Sequence, residues 1–399
     1  MKKVLYVATV VKTHIMEFHI PYLKMFKEKG WETAVAAKND YENPKECNIP
    51  FCDTYYNIPF ERSPLKLSNW KAYKLLKKII EEENYDIIHC HTPVGAMIAR
   101  LASRRVRKKG TKVIYTAHGF HFYKGAPIIN WLIYYPVEKI LSNYTDVLIT
   151  INQEDYSRAK KFHAKRVEYI PGVGIDLSKF TKGTNVNKND KRLELGLNTN
   201  DFVVVSVGEL IKRKNHETMI RGIANLKNTQ VYESLKYLIC GDGELRQYLQ
   251  ELVDDLGLHD KVHFLGYRHD IPEICSSADV FLFMSYQEGL PVALMEAMAC
   301  GLPCICSNIR GNNDLIEDEK SGILIPIEEQ AISNALLSLL MSEEDRITLG
   351  MKAQECSRRL CGFRRKGRSA FLIFSAGGYN SGPVQAVVRY SACTGLLFV

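Results

Sequence analysis

Two glutamates separated by seven residues are the side chains of this sequence best placed to do chemistry. Glu288 and Glu296 flank a string that begins Gly289-Leu290-Pro291. Glu288 ends a loop that follows a predicted strand, and Pro291 is typical of the first turn of a helix. Free N–H groups at a helix N-terminus favour anionic or hydroxyl-rich ligands, so we expect the amides of Gly289 and Leu290 to face one. The two carboxylates would accept hydrogen bonds from a polyol. The alternative is a glutamate stabilised by the helix dipole beside an unrelated surface glutamate.

A second group of residues has the chemistry to bind phosphate. Gly208 follows the apolar run 202–207, and Lys212, Arg213 and Lys214 come next, where a helix is expected to begin. A glycine turn lets basic side chains and helix amides approach a diphosphate closely. The spacing is not that of a P-loop, since the pattern G-x4-G-K-[ST] is absent. A solvated charged loop is the alternative.

Three histidines lie on or directly after predicted strands of the first half. His118 follows the strand predicted over 112–117, which puts its side chain at the carboxyl edge of a sheet, while His89 and His91 alternate along another strand. A lone histidine is more often a structural residue than a catalytic one. A metal site at His89 and His91 is disfavoured, because no third ligand follows at suitable spacing. No metal ligand is therefore predicted.

Two sets of alternating strands and helices would position these residues. In the first half, strands are predicted over 3–10, 32–37, 86–90, 112–117, 146–151 and 166–170, with helices over 19–29, 69–83, 94–108, 130–141 and 153–162. In the second half, apolar runs recur at 202–207, 237–240, 262–265, 280–283, 303–306 and 323–325. Strands buried on both faces and joined by helices indicate parallel sheets of right-handed βαβ units. The predicted fold class is α/β, with two Rossmann-like doubly wound domains facing a cleft that holds the ligand.

Four segments are predicted along the chain. An N-terminal domain over 1–178 is followed by a polar linker over 179–200, a second domain over 201–356 and an atypical tail over 357–399. The tail contains no acidic residue and shows neither helical periodicity nor capping. A foreign or frameshifted ending explains this better than a basic membrane-contacting extension.

Composition narrows the class of protein. The chain has 399 residues, of which 46% are hydrophobic and 25% charged, as in globular proteins. No run approaches the ~18 to 20 apolar residues that span a membrane. The first ten residues are better explained as a buried strand than as a signal peptide, because Lys12 and His14 follow with no small-residue cleavage site. The scattered cysteines indicate reduced thiols in a cytoplasmic protein.

Charge is divided unevenly along the chain. Residues 1–180 contain 29 basic and 18 acidic residues, whereas residues 181–355 contain 17 and 27. Only the first half is therefore expected to face something anionic, either nucleic acid or an acidic membrane leaflet. Nucleic acid is disfavoured, because no recognisable binding motif accompanies the basic residues. A basic cluster over 100–109 and aromatic strings over 120–124 and 131–135 suit a lipid interface, although the helix dipole and core packing explain them nearly as well.

The string from Glu288 to Glu296 resembles the E-x7-E signature of retaining GT-B glycosyltransferases of family 4 type. The resemblance covers residues 3 to about 356, and three further strings resemble capsule and exopolysaccharide transferases: Thr13-His14-Ile15-Met16, His118-Gly119-Phe120-His121-Phe122 and Gly208-Glu209-Leu210. It implies transfer of a sugar from a nucleotide diphosphate-sugar with retention of anomeric configuration and without a metal. No D-x-D motif lies where a divalent ion would be needed.

The resemblance also implies roles for single residues. The catalytic residues would be His118, which binds a distal hydroxyl of the donor sugar, and Glu288, which lies against that sugar. Glu296 would bind the ribose and Lys214 a phosphate. The full set of donor-binding candidates is Gly208, Arg213, Lys214, Gly289, Leu290, Pro291 and Glu296.

Two departures from the family pattern leave contacts open. Glu209 stands where many members have an arginine, so Arg213 or Lys212 would have to replace it. The glycine-rich loop after the first strand is replaced by the segment 10–14, which makes Lys12, His14 and Gly119 candidates for the acceptor side. The nucleobase is expected near Tyr267 and Arg268.

The expected partners are a nucleotide-sugar donor and a lipid-linked acceptor. The donor, a UDP-sugar in preference to others, is a substrate, so no cofactor is predicted. The acceptor would be a polyprenyl-phosphate-linked glycan at the inner face of the plasma membrane, an anionic surface held by the basic N-terminal domain. Two alternatives stay open: a GT-B nucleotide-sugar epimerase, and a weakly active or non-catalytic subunit that binds nucleotide-sugar.

Overall fold

The first half of the chain forms a seven-stranded sheet. The computed structural model describes residues 1–64, 66–172, 174–180 and 187–361. The sheet has the order β3-β2-β1-β4-β5-β6-β7, and every neighbouring pair is parallel. Its strands are β1 Lys3–Val10, β2 Glu32–Lys38, β3 Thr54–Asn57, β4 Ile87–Cys90, β5 Lys112–Ala117, β6 Val147–Thr150 and β7 Arg166–Tyr169.

The second half forms a six-stranded sheet that is also parallel throughout, in the order β10-β9-β8-β11-β12-β13. Its strands are β8 Phe202–Val207, β9 Leu235–Cys240, β10 Val262–Gly266, β11 Val280–Phe283, β12 Cys304–Ser307 and β13 Ile323–Ile325. Central strands are apolar on both faces because helices cover both sides, as the burial of all four residues of β11 shows. Two parallel doubly wound sheets confirm the predicted fold class.

Thirteen α-helices connect these strands in the described part of the chain. The first half contains α1 Ile20–Glu28, α2 Ser68–Glu83, α3 Pro93–Ala102, α4 Arg104–Lys108, α5 Ile128–Leu141 and α6 Gln153–Ala159. The second contains α7 Lys188–Glu194, α8 His216–Ala224, α9 Arg246–Asp255, α10 Ile271–Ser277, α11 Val292–Ala299, α12 Glu329–Met341 and α13 Glu343–Cys361.

Two predicted segments differ from the observed ones. The helix predicted over 94–108 is divided into α3 and α4 at Ser103, whose hydroxyl donates to the carbonyl of Ala99 at 2.7 Å, a bond that bends helices. Part of the predicted linker is helix α7. Its Lys191 donates to Asp270 at 2.6 Å and its Arg192 to Asp279 at 2.7 Å. Ion pairs rather than an apolar stripe hold this helix against the second sheet, which is why hydrophobicity missed it.

The predicted tail is described only at its start. Residues 357–361 complete α13, and the rest of the predicted tail lies outside the described residues. Within the described part of the chain, no helix combines the length and the apolar character that crossing a bilayer requires. Nine cysteines in the described part of the chain are free thiols, and six of them are buried.

Candidate active site

The candidate residues lie where the strand order of each sheet reverses. In the second sheet this point lies between β8 and β11, and in the first between β1 and β4. Helices from opposite faces leave a crevice at the carboxyl ends of such strands. Gly208 directly follows β8, and Glu288 lies in the loop between β11 and α11. The fold therefore brings the two predicted donor motifs to one edge of one sheet.

Glu288 pairs with the two cations that were predicted to bind phosphate. Its Oε1 accepts from Lys214 Nζ at 2.8 Å and from Arg213 Nη1 at 3.0 Å. The Glu288 side chain is 8% exposed and that of Lys214 14%, so solvent screens this pair only partly. Lys214 also lies over Gly208, where an added Cβ would meet its Cδ at 3.4 Å. Lys212 in the same turn is exposed.

Two further glycines lie beside Gly208 at this edge of the sheet, and neither was predicted from the sequence. Gly241 and Gly243 follow β9, with Asp242 between them. A Cβ on Gly241 would lie 1.9 Å from the carbonyl oxygen of Gly208, and one on Gly243 2.7 Å from that of Leu210. Only glycine allows the backbones at the ends of β8 and β9 to approach so closely. A G-x-G string directly after a predicted strand was the available signal.

The loop before α11 touches the first domain. A Cβ on Gly289 would lie 1.9 Å from the carbonyl oxygen of His118, and one on Gly119 would lie 3.3 Å from Cα of Gly289. Leu290 is buried in the same apolar cluster as Ile151, which directly follows β6. Gly289 is therefore required by the contact between the two domains. Pro291 is the residue immediately before α11, one position earlier than predicted.

Glu296 is partly buried on α11 and faces the first domain. Its pKa is raised to about 7, chiefly by burial and also by the nearby carboxylate of Glu17, while Lys179 opposes both effects. A group with a pKa near neutrality is unusual for a carboxyl and is frequent in functional sites. The protonation state of Glu296 therefore depends on the charge of any group that lies between α11 and the first domain.

Arg310 connects the two halves of the site, and nothing in the sequence singled it out. Its Nη1 donates to Asp155 Oδ1 at 2.8 Å and to the carbonyl of Phe120 at 3.1 Å, while its Nε donates to the carbonyl of Glu288 at 3.2 Å. Both side chains of the ion pair are buried, with 3% and 0% exposed. One guanidinium from the second domain therefore fixes the loop after His118 against the loop that carries Glu288.

His118 belongs to a cluster of buried histidines. Its Nε2 lies 3.2 Å from Nδ1 of His91, and its ring packs edge-on against that of His14. Burial lowers the pKa of His118 to about 4, so its imidazole is neutral at neutral pH. The expectation that His89 and His91 have no third ligand at suitable spacing fails for His91, because residues distant in sequence lie beside it. One ring nitrogen from each of His14, His19, His91 and His118 lies within 4.8 Å of the other three.

The residues predicted for the base and the acceptor are less well defined. Tyr267 is 72% exposed, and Arg268 is paired with Asp270. Lys12 is exposed in the π-helical turn Val11–Met16, and its backbone N–H donates to Asp40 at 2.6 Å. A π-helical turn is uncommon and is often found at functional sites.

Two cavities adjoin these residues. One of about 830 Å³ lies between the domains and includes Tyr123, Tyr169, Glu288 and Arg310 in its wall. Gly208, Lys214 and Glu296 do not line it, so this cavity is not the predicted donor site as a whole. A second cavity of about 560 Å³ lies in the first domain. Its wall extends from His14 to α3 and α5 and includes Thr9, Met97, His121, Ile133 and Tyr134.

Several basic and aromatic residues of the first domain that were predicted to contact lipid are buried or paired within the protein. Arg100 is 1% exposed and pairs with Glu138 at 2.9 Å, and Arg107 pairs with Asp146 at 2.9 Å. Phe120 and Phe122 are buried in the core. The prediction that these four residues suit a lipid interface is therefore wrong. Aliphatic residues of α5 are exposed instead: Ile128, Ile129, Leu132, Ile133, Val137 and Ile140.

Two family profiles match the chain. The profile described as "Glycosyl transferase 4-like" matches residues 3–152, and the one described as "Glycosyl transferases group 1" matches residues 187–355. The first covers most of the seven-stranded sheet. The second covers the six-stranded sheet together with Lys214, Glu288 and Glu296.

Individual proteins agree with these profiles. EpsD of Bacillus subtilis, a provisionally assigned glycosyltransferase, is 43% identical over 83% of this chain and 85% of its own length. A UDP-Gal:alpha-D-GlcNAc-diphosphoundecaprenol alpha-1,3-galactosyltransferase of Escherichia coli is 34% identical over 74% of this chain and 75% of its own. Among solved structures, HepE of Anabaena in complex with UDP and glucose superposes with a TM-score of 0.77 at 21% identity, over 94% of this chain and all of that one. This last similarity concerns the fold.

Proposed function

Because this chain belongs to the GT-B glycosyltransferases of family 4 type, a group with relatives in exopolysaccharide synthesis, we propose that it transfers a sugar from a UDP-sugar to a lipid-linked glycan with retention of configuration. The observation that carries the proposal is the group formed by Lys214, Arg213 and Glu288. The group lies at the carboxyl edge of the second sheet, and the loop that carries Glu288 meets His118 and Gly119 of the first.

In the proposed reaction the donor diphosphate replaces the carboxylate of Glu288 as the partner of Lys214 and Arg213. The bond between the anomeric carbon and the phosphate oxygen breaks, and the two cations stabilise the charge that develops on the leaving diphosphate. They supply the charge that a divalent ion provides elsewhere, so the transfer is proposed to be independent of metal. Glu288 then orients the sugar and supports its developing positive charge.

The acceptor hydroxyl approaches from the face that the diphosphate leaves. Its proton passes to the departing phosphate oxygen, which balances the transfer. His118 holds a distal hydroxyl of the donor sugar through Nδ1, since its Nε2 is engaged with His91. Glu296 accepts from the ribose hydroxyls, and the backbone at Gly208 and Gly241 lets the diphosphate approach.

Support for a lipid-linked acceptor comes from the 560 Å³ cavity and from the helix beside it. Ile133 and Tyr134 of α5 line the cavity, which reaches His14 near His118. The E. coli relative acts on a diphosphoundecaprenol-linked sugar by its name. A glycan in this cavity would have its lipid anchor directed along α5.

We further propose that α5 lies in the surface of an anionic membrane. Ile128 is 77% exposed, Leu132 68% and Ile140 61%, and their spacing places them on one side of the helix. An apolar helix face beside basic residues is typical of interfacial binding. Arg104, Arg105 and Lys108 on α4 are exposed cations of the same domain.

The proposal is tested by incubating the protein with separate UDP-sugars, GDP-mannose and membranes of the source cell in the presence of a chelator. We expect label from one UDP-sugar in a chloroform-soluble lipid, and linkage analysis should show the anomeric configuration of the donor. Inverted configuration would contradict the proposed mechanism. Conversion of the donor to an epimer without any transfer would instead identify a nucleotide-sugar epimerase.

A further inference from the structure

Four histidines from separate segments of the first domain meet beside the candidate active site. His14 lies in the π-helical turn after β1, His19 just before α1, His91 just after β4, and His118 just after β5. Each offers a ring nitrogen, and these four atoms lie within 4.8 Å of one another. We refer to these four residues as the histidine cluster. A tetrahedral metal site needs donor atoms that can converge in this way.

Several of these nitrogens are buried without a hydrogen-bond partner in the described part of the chain. They are both ring nitrogens of His19, Nε2 of His91 and Nε2 of His14. The side chains of His19 and His91 are 2% and 1% exposed. Buried polar atoms without a partner are uncommon and costly, and an ion is one of the few explanations for several in one place. Two fully buried imidazoles with unused lone pairs therefore point to a ligand.

We propose that the histidine cluster binds one divalent transition-metal ion, with Zn²⁺ as the best fit. Four imidazole nitrogens form a donor set suited to Zn²⁺, Co²⁺, Ni²⁺ or Cu²⁺. Mg²⁺ and Ca²⁺ prefer oxygen ligands and are excluded by the same chemistry. The bond between His91 and His118 would open, and both rings would turn to the ion.

An ion at this site would act on the transfer reaction as an inhibitor. This consequence rests on the proposed function, because it requires that His118 holds the donor sugar. A metal-bound His118 has neither the orientation nor the free nitrogen for a sugar hydroxyl. Transfer itself needs no metal in this account, so the ion is a regulator rather than a reactant.

Binding is tested with the full chain prepared without a polyhistidine tag and stripped with a chelator. Titration with Zn²⁺ alone, followed by calorimetry, should show one ion per chain, and Co²⁺ should give the strong visible absorption of a tetrahedral site. His19→Ala and His14→Gln should each weaken binding at least ~10-fold, because even the loss of an outer-shell partner costs that much. His269→Ala, which changes an exposed histidine of the other domain, should bind as the natural chain does.

Circular dichroism in chelator shows whether each variant is folded. His14→Gln changes a partly exposed side chain and keeps the test valid if the buried His19 cannot be replaced. The proposal is overturned if the natural chain binds no Zn²⁺, or if both folded variants bind it unchanged.

Measurements of inhibition by Zn²⁺ distinguish a failure of the metal site from a failure of the proposed function. Zn²⁺ should reduce transfer by the natural chain several-fold more than by His19→Ala, and excess chelator should restore it. A chain that binds Zn²⁺ but transfers no sugar would retain the metal site and refute the function. A chain whose transfer is equally sensitive to Zn²⁺ with and without His19 would refute the inhibitory role.

Discussion

The Nζ atom of Lys214 lies 2.8 Å from Oε1 of Glu288. The cation proposed for the donor diphosphate is thus paired with the carboxylate proposed for the donor sugar. The diphosphate brings two negative charges to Lys214, whereas the carboxylate of Glu288 brings one. Replacement of the carboxylate by the diphosphate therefore favours the bound donor. The buried pair keeps both side chains in position before the donor arrives.

Removal of the Lys214 cation should slow transfer more than removal of its neighbour. For Lys214→Ala we expect kcat to fall by about 10²-fold, which is typical for loss of one group that stabilises developing negative charge. Lys212→Ala removes an exposed cation in the same turn, and its kcat should fall less than ~3-fold. Steady-state kinetics with the identified donor measure both. Equal losses in the two variants would contradict the assigned role of Lys214.

The charge of Glu296 should make both stability and donor binding depend on pH. Its folded-state pKa of about 7 lies above the usual 4.5. The protonated carboxyl therefore stabilises the fold fully below pH 4.5, and this stabilisation is lost as pH rises through 7. At pH 8 the loss of stability is at most about 3.5 kcal/mol, at about 1.4 kcal/mol per unit of pKa.

Glu296→Gln should accordingly be more stable than the natural chain at pH 8 and equal to it near pH 4.5. Ribose binding needs the ionised carboxylate, so donor affinity of the natural chain should rise between pH 6 and 8, and that of the variant should be weak and flat. Urea unfolding and calorimetric titration with UDP measure the two effects. The matched variant Glu344→Gln changes an exposed glutamate of α13 and should show neither. A stability difference independent of pH would contradict the account of Glu296.

Arg310 should contribute strongly to the joint between the domains. Arg310→Ala leaves Asp155 buried and unpaired, so we expect a loss of about 3–5 kcal/mol in the free energy of unfolding. Arg221→Ala breaks a surface pair with Glu217 and should cost less than ~1 kcal/mol. Urea unfolding followed by tryptophan fluorescence compares them. Similar losses in the two variants would show that Arg310 does not hold the domains together.

The apolar face of α5 should carry membrane binding. The double variant Ile128→Glu and Leu132→Glu should reduce binding to vesicles of anionic phospholipid at least ~10-fold, because two inserted aliphatic side chains contribute more than ~1.4 kcal/mol. Ile347→Glu alters an exposed isoleucine of α13 and should leave vesicle binding unchanged. Co-sedimentation measures the bound fraction. Unchanged sedimentation of the double variant would exclude α5 as the membrane contact.

The sheets could be predicted from the sequence because their central strands are apolar on both faces. Alternation of such strands with helices fixes the parallel arrangement, and a parallel sheet brings the residues after its strands to one edge. The placement of Gly208 and Glu288 at one edge followed from that rule. The short edge strand Thr54–Asn57, which has no buried residue, carries no such signal and was missed.

Contacts between distant segments could not be predicted. The pairing of Arg310 with Asp155 joins residues 155 positions apart, and nothing local marks either one. The histidine cluster was missed for the same reason, because four separate segments supply its rings. The polar helix α7 was missed because ion pairs, rather than a hydrophobic stripe, hold it in place.

A structure of this chain with bound UDP would show whether Lys214 and Glu296 bind the donor. We expect phosphate oxygens within hydrogen-bond distance of Lys214 Nζ, with ribose hydroxyls on the carboxylate of Glu296 and the Lys214–Glu288 pair opened. UDP bound away from the carboxyl edge of β8, with that pair intact, would contradict this expectation.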